Sequence, residues 1–192
     1  WHRDGENQLI APQSAANELL NMLSPLVAVN RYVVFCALAL HEHPEHRERL
    51  SEPLWLEAFV HEVRRFYPYA PPTFGRVLEP FEWRGHRFAP GDRVVFDPFA
   101  TNHDPRTWEL PYELRPERFL GRVRGMYELT PQGGGNPLEG HRCAGEDLTV
   151  ELMRRAARQL MRLRYEVPAQ DLSVDFARVP TGPASGFVLR FQ

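Results

Sequence analysis

The residues best equipped for chemistry lie at 131–146, Pro-Gln-Gly-Gly-Gly-Asn-Pro-Leu-Glu-Gly-His-Arg-Cys-Ala-Gly-Glu. A glycine-rich, proline-flanked loop there delivers the thiol of Cys143 to the start of a predicted helix. Gly133, Gly134 and Gly135 let backbone come close to a bulky flat group and can aim amide N–H groups at a sulfur. The positive end of the following helix favours thiolate over thiol. His141 and Arg142 add positive charge or donors. A thiolate held this way is a nucleophile or a metal ligand. A buried structural cysteine is the alternative. A Cys143–His141 proton relay has poor geometry two residues apart. The triple glycine is not followed by Gly-Lys-Ser/Thr, so a phosphate loop does not fit.

Two more motifs precede this loop. Glu62-Val63-Arg64-Arg65 places Glu62 and Arg65 three apart on one helix face, followed by Phe66-Tyr67-Pro68. Leu114-Arg115-Pro116-Glu117-Arg118-Phe119 comes next. Taken singly, Glu62 with Arg65 is a surface pair worth a few tenths of a kcal/mol, and Arg118 is a solvated cation. In this order and spacing they resemble the ExxR, PERF and cysteine-loop motifs of the cytochrome P450 superfamily. Gln-Gly-Gly-Gly ahead of Gly-His-Arg-Cys-Ala-Gly-Glu is most similar to the bacterial fatty-acid peroxygenase branch. Thr101-Asn102-His103-Asp104 and Pro183-Ala184-Ser185-Gly186-Phe187-Val188 resemble that branch too. The resemblance covers essentially all 192 residues and corresponds to the C-terminal half of such an enzyme, with the N-terminal half absent.

The resemblance implies heme b with Cys143 as iron ligand, and a buried Glu62–Arg65–Arg118 network bracing the fold beneath it. Arg76 resembles the family's propionate arginine. His141, Arg142, Gln132, Gly133, Gly134 and Gly145 are the loop candidates for cofactor contact. The usual loop phenylalanine is missing, which fits the peroxygenase branch. On the distal side the branch carries Arg-Pro, whose arginine grips a fatty-acid carboxylate that serves as acid–base group toward hydrogen peroxide. Here Asn21 and Pro25 match and Ser24 departs. A serine hydroxyl replaces a bidentate charged fork, a loss of roughly 2–5 kcal/mol in a dry pocket. Arg31 lies two turns further on, about 10 Å by helix rise. No acid–alcohol pair of the monooxygenase kind is present. The implied function is peroxide-dependent hydroxylation or decarboxylation of an acyl chain or other hydrophobic small molecule. A truncated, non-catalytic haem-binding chain and a conventional monooxygenase with a redox partner are the alternatives.

Composition agrees with one globular domain: 43% hydrophobic, 25% charged, net charge −2, with nothing pointing to nucleic acid. Cys36 and Cys143 sit in unlike settings, so a disulfide is not expected and a reducing, cytoplasmic location fits. The start at Trp1 rather than Met suggests a fragment or processed product.

The elements that must position these groups follow from pattern. The fold class is mainly α with small β-sheets. Residues 1–10 read as loop. Pro12 opens a helix running to about Leu40, kinked at Pro25. Leu19–Leu40 carries only Arg31 as a charge; it is read as a core helix rather than a membrane span, since a mid-span Arg is expensive. Short and longer helices follow at Pro44–Leu50 and Leu54–Phe66, the latter ended by Pro68, Pro71 and Pro72. His41, Glu42 and His43 read as a polar helix end rather than metal ligands. Phe74–Asp97 reads as short strands turning at 84–86 and 90–92. Ala144–Arg164 reads as an amphipathic helix with Leu148, Leu152, Ala156, Leu160 and Leu163 on its inner face. Strands near 165–167, 173–178 and 187–191 finish the chain.

Overall fold

Proline opens three of the helices. Pro12, Pro53 and Pro98 each stand in a first helical turn, where the N–H that proline lacks has no intrahelical partner anyway. The computed structural model describes residues 3, 5–69, 72–121, 125–178 and 181–192. Pro71, expected to help end the third helix, lies outside them.

Helix α1 spans Pro12–Glu42 and stays helical through Pro25. A turn leads to α2, His46–Arg49, shorter than the 44–50 expected. α3 follows at Pro53–Phe66. Strand β1 (Thr73–Arg76) pairs antiparallel with β4 (Arg93–Phe96), and β2 (Phe81–Trp83) with β3 (His86–Phe88). The β2–β3 turn puts Arg84 at φ 51° and Gly85 at φ 79°, the two left-handed positions a tight hairpin demands. Short α4 (Pro98–Asn102) and a 3₁₀ turn (Pro116–Phe119) interrupt an otherwise irregular stretch. α5 spans Glu146–Arg162, and β5 (Tyr165–Glu166) pairs with β6 (Arg190–Phe191). The fold is mainly helical with small sheets.

Three expectations change. The strand read at 173–178 is a single bridge between Val174 and Pro183. Pro183 has no N–H to extend a ladder, and the Asp171 and Asp175 carboxylates hold the Ser173 and Ala177 amides in local turns. The buried face of α5 is Glu146, Thr149, Met153, Ala157 and Leu160, while Leu148 and Leu163 are exposed. Glu146 and Thr149 find polar partners inside, and that turns the helix by one residue from its most leucine-rich face. In α1 burial begins at Tyr32; Leu19 to Val27 lies exposed. By length and composition α1 also passes for a membrane-crossing helix, yet residues 35–40 are core.

That core joins Phe35, Cys36 and Leu38 of α1 to Trp55, Leu56, Phe59 and Val63 of α3 and to Met153 and Ala157 of α5. Each large apolar side chain buried there is worth about 1.5–3 kcal/mol. α3 is the central member, and both of its polar flanks are therefore forced to find partners.

Candidate functional site

One flank of α3 carries Glu62 and Arg65, neither exposed at all. Arg65 grips Glu62 with two bonds of 2.8 Å. Its remaining N–H groups reach the carbonyls of Asn102, Pro111 and Glu113. Glu62 Oε1 also accepts from Arg118 Nε at 3.1 Å and from the Arg115 amide at 2.8 Å. Arg118 in turn holds the Glu109 carbonyl at 2.7 Å. Three residues from two distant segments thus form one buried unit. It staples the irregular 102–118 stretch to the rigid helix.

The other flank carries Arg64, which the motif reading passed over. Arg64 is fully buried. It pairs with Glu146, donates to Gln132 Oε1 at 3.0 Å and lies 3.1 Å from His61 Nδ1. Glu146 also accepts from Arg142 Nε at 2.5 Å. Burial works to raise the Glu146 pKa, but Arg64 and Arg142 together hold its carboxyl below the usual carboxylate range. Nothing in local spacing signals a pair separated by eighty-two positions. The only hint was Arg64 standing beside Arg65 on a helix due for burial.

This second network fixes the cysteine loop. Gln132 Nε2 donates to Thr149 Oγ1 at 3.2 Å, and the Gln132 carbonyl accepts from the Cys143 amide at 2.9 Å. Gly133 adopts φ 93°, and a Cβ there would lie 1.8 Å from the His141 carbonyl oxygen. A Cβ on Gly134 would press on Tyr127 at 3.2 Å. Gly145 precedes α5, whose first turn holds Glu146 and Asp147, so the helix starts two residues later than expected. Cys143 is free and exposed.

Cys143 opens on a cavity of about 850 Å³. Tyr69, Thr101, Tyr127, Thr130, the Gly133–Gly134 backbone and His141 are among its walls. Tyr69 stacks on Tyr32 at 4.0 Å. Burial first, and the nearby Cys143 second, push the Tyr69 phenol up, while Arg31 pulls the other way. Tyr69 therefore belongs to the neighbourhood of the sulfur.

Not every candidate converges there. Arg142 turns away and lines a separate hollow of about 540 Å³ with Glu146, His61 and Phe119. Its ion pair with Glu146 claims the guanidinium that was expected to face the cofactor. The Gln132 side chain is likewise spent on Arg64 and Thr149, leaving its backbone to the cavity. Arg76 is exposed on β1, paired in register with Arg93, and is not among the cavity walls. Asn21, Ser24 and Pro25 lie on the exposed half of α1 and do not line the cavity either. The structure brings Cys143, His141, Gly133 and Gly134 together, and a Cβ placed on Gly145 would lie 3.8 Å from Sγ.

A free thiol at a helix start, an open apolar cavity before it and backbone stripped of Cβ atoms beside it fit a flat macrocycle carrying an iron. They define a haem-thiolate protein. The chain belongs to the cytochrome P450 family, whose profile matches residues 37–173, and its cofactor is heme b. Among curated proteins it is similar to cytochrome P450 76C4 of Arabidopsis thaliana, 34% identical over 131 residues, 63% of this chain and 25% of that one. It is also similar to flavonoid 3'-monooxygenase of Petunia hybrida, 32% identical over 114 residues, 55% of this chain and 22% of the relative. Among solved structures, cytochrome P450SP alpha (CYP152B1) in complex with (R)-ibuprophen superposes with a TM-score of 0.88 at 47% identity, over 99% of this chain and 47% of that one. Cytochrome P450EX alpha (CYP152N1) with myristic acid gives 0.86 at 38% identity, over 100% and 48%. The chain spans about half the length of these solved relatives and about a quarter of the curated ones.

Proposed function

We propose that this chain is the haem-binding part of a hydrogen-peroxide-dependent hydroxylase or decarboxylase of acyl chains or similar hydrophobic molecules. The observation that carries the reading is Cys143, exposed on its glycine loop in a chain that superposes on a CYP152 structure at 47% identity over 99% of its length. One of those structures holds myristic acid. Bound in the cavity, haem supplies the oxidising centre. Cys143 Sγ would be its protein ligand, a thiolate that would tune the iron for oxidation by peroxide. The Gly133–Gly134 backbone permits close approach, and His141 offers a donor at the rim. Tyr69, Thr101, Tyr127 and Thr130 give the walls a few polar atoms. A cytoplasmic location belongs to the same proposal.

The test is the reduced, carbon-monoxide-bound spectrum followed by turnover. Cys143→Ala should abolish the thiolate-type band, and Cys36→Ala should leave it. Product from a fatty acid should then appear with peroxide alone. Equal loss of the band in both variants would sink the ligand assignment. A second reading, a monooxygenase fed by a redox partner, draws on the name of the petunia relative. Product only with reductant and a partner protein would favour it.

A further inference from the structure

The turn between α1 and α2 reads His41-Glu42-His43-Pro44-Glu45-His46, and the structure sorts these side chains in an unexpected way. His41 leans edge-on toward Phe187, 6.3 Å between ring centres. Glu42 accepts the Tyr67 hydroxyl at 2.8 Å. Both point away from the turn. His43, Glu45 and His46 converge instead, with one ligand atom from each lying within 4.8 Å of the others. His43 Nδ1 is 3.5 Å from Glu45 Oε1, and His46 Nε2 is 4.0 Å from the same oxygen. In a tetrahedral site with metal–ligand bonds of about 2.0–2.1 Å, neighbouring ligand atoms stand about 3.4 Å apart. The cluster needs only small side-chain rotations to reach that spacing.

A second observation points to a ligand. The His46 side chain is 9% exposed, and its Nε2 is buried with no hydrogen-bond partner. A buried polar atom without a partner is normally avoided. The ring is held beside Trp55 and Phe59, 5.7 and 6.0 Å between ring centres. The backbone is set too: the His46 amide donates to the His43 carbonyl at 3.2 Å and that of Arg47 to Pro44 at 3.0 Å.

We propose that His43 Nδ1, Glu45 Oε1 and His46 Nε2 form a site for one borderline divalent cation such as Zn²⁺, with water as the fourth ligand. Two imidazoles and a carboxylate are the donors such ions favour. The site is separate from Cys143 and its cavity. Bound there, the ion ties the end of α1 to α2 more tightly than the His43–Glu45–His46 contacts do alone.

The test is Zn²⁺ titration against a competing chelating dye, on tag-free, haem-loaded protein. His43→Ala and Glu45→Gln alter one half-buried and one exposed residue and should leave folding intact. Each should weaken one binding event by about tenfold or more, as expected when one of three protein ligands is lost. His41→Ala is the neighbouring control and should leave it unchanged. Excess Zn²⁺ should raise the melting temperature of the unaltered chain and not of the two ligand variants. Equal affinity in all four proteins would overturn the site, as would a loss in His41→Ala matching that in His43→Ala.

Discussion

The Cys143 amide donates to the Gln132 carbonyl at 2.9 Å, while the Gln132 side chain is clamped between Arg64 and Thr149 at 3.0 and 3.2 Å. The loop that presents the sulfur is thus tied to α3 and α5 through one residue. Gln132→Leu keeps the volume and removes both side-chain bonds, at about 1–3 kcal/mol for the Arg64 donor and the Thr149 acceptor that lose it. Arg64→Ala leaves Glu146 with only Arg142, and breaking a buried pair is worth about 3–5 kcal/mol. Urea melts should rank Arg64→Ala below Gln132→Leu. Both should lose haem faster than the unaltered chain.

The Glu62–Arg65–Arg118 network should behave as one unit. Glu62→Ala strands Arg65 and the Arg115 amide together. Each single alanine should reduce soluble, haem-loaded protein, and Glu62→Ala with Arg65→Ala should cost little more than either change alone. Small additive effects in a double-mutant cycle would mean the groups act independently.

Two loop glycines should respond differently. Gly133→Ala meets both a left-handed φ and the His141 carbonyl at 1.8 Å, so the loop has to break to admit it. At Gly145 a Cβ meets only Cys143 Sγ, at 3.8 Å, an ordinary contact. Gly133→Ala should yield haem-free protein, and Gly145→Ala should keep the carbon-monoxide band.

His103 predicts a pH dependence of stability. It is buried, stacked on Phe99 at 4.0 Å, with its Nδ1 2.9 Å from the Phe99 carbonyl. Burial, aided by Arg65 and Arg118, pulls it from an ordinary 6.5 down to about 4. The folded chain therefore refuses a proton that the unfolded chain takes up between these values. Stability is fully present above pH 6.5 and falls as pH drops toward about 4. In pH-resolved denaturant melts, His103→Gln should flatten that part of the curve.

Ser24 is the remaining test of substrate anchoring. Peroxide-driven turnover of a long-chain fatty acid should be poor in the unaltered chain. It should improve in Ser24→Arg, which restores a charged fork, or on adding acetate as a proton carrier. The assay is product per peroxide consumed. If the unaltered chain already matches Ser24→Arg, Arg31 is the position to alter next.

Motif order in the sequence marked Cys143 and the Glu62, Arg65 and Arg118 set, because each lies in a short stretch whose spacing is itself the signal. The helices followed as well, because prolines at 12, 53 and 98 and apolar periodicity are local facts. What one dimension could not carry was orientation. Arg64 and Glu146 meet only because α3 and α5 pack side by side, and that meeting turned α5 by a residue and drew Arg142 away from the cavity. Asn21, Ser24 and Pro25 shared a helix with the core but not its burial, because burial depends on what lies opposite. His43, read beside His41 and Glu42, instead meets Glu45 and His46 through a proline turn. In each case residue type was local information, while the partner was chosen by packing.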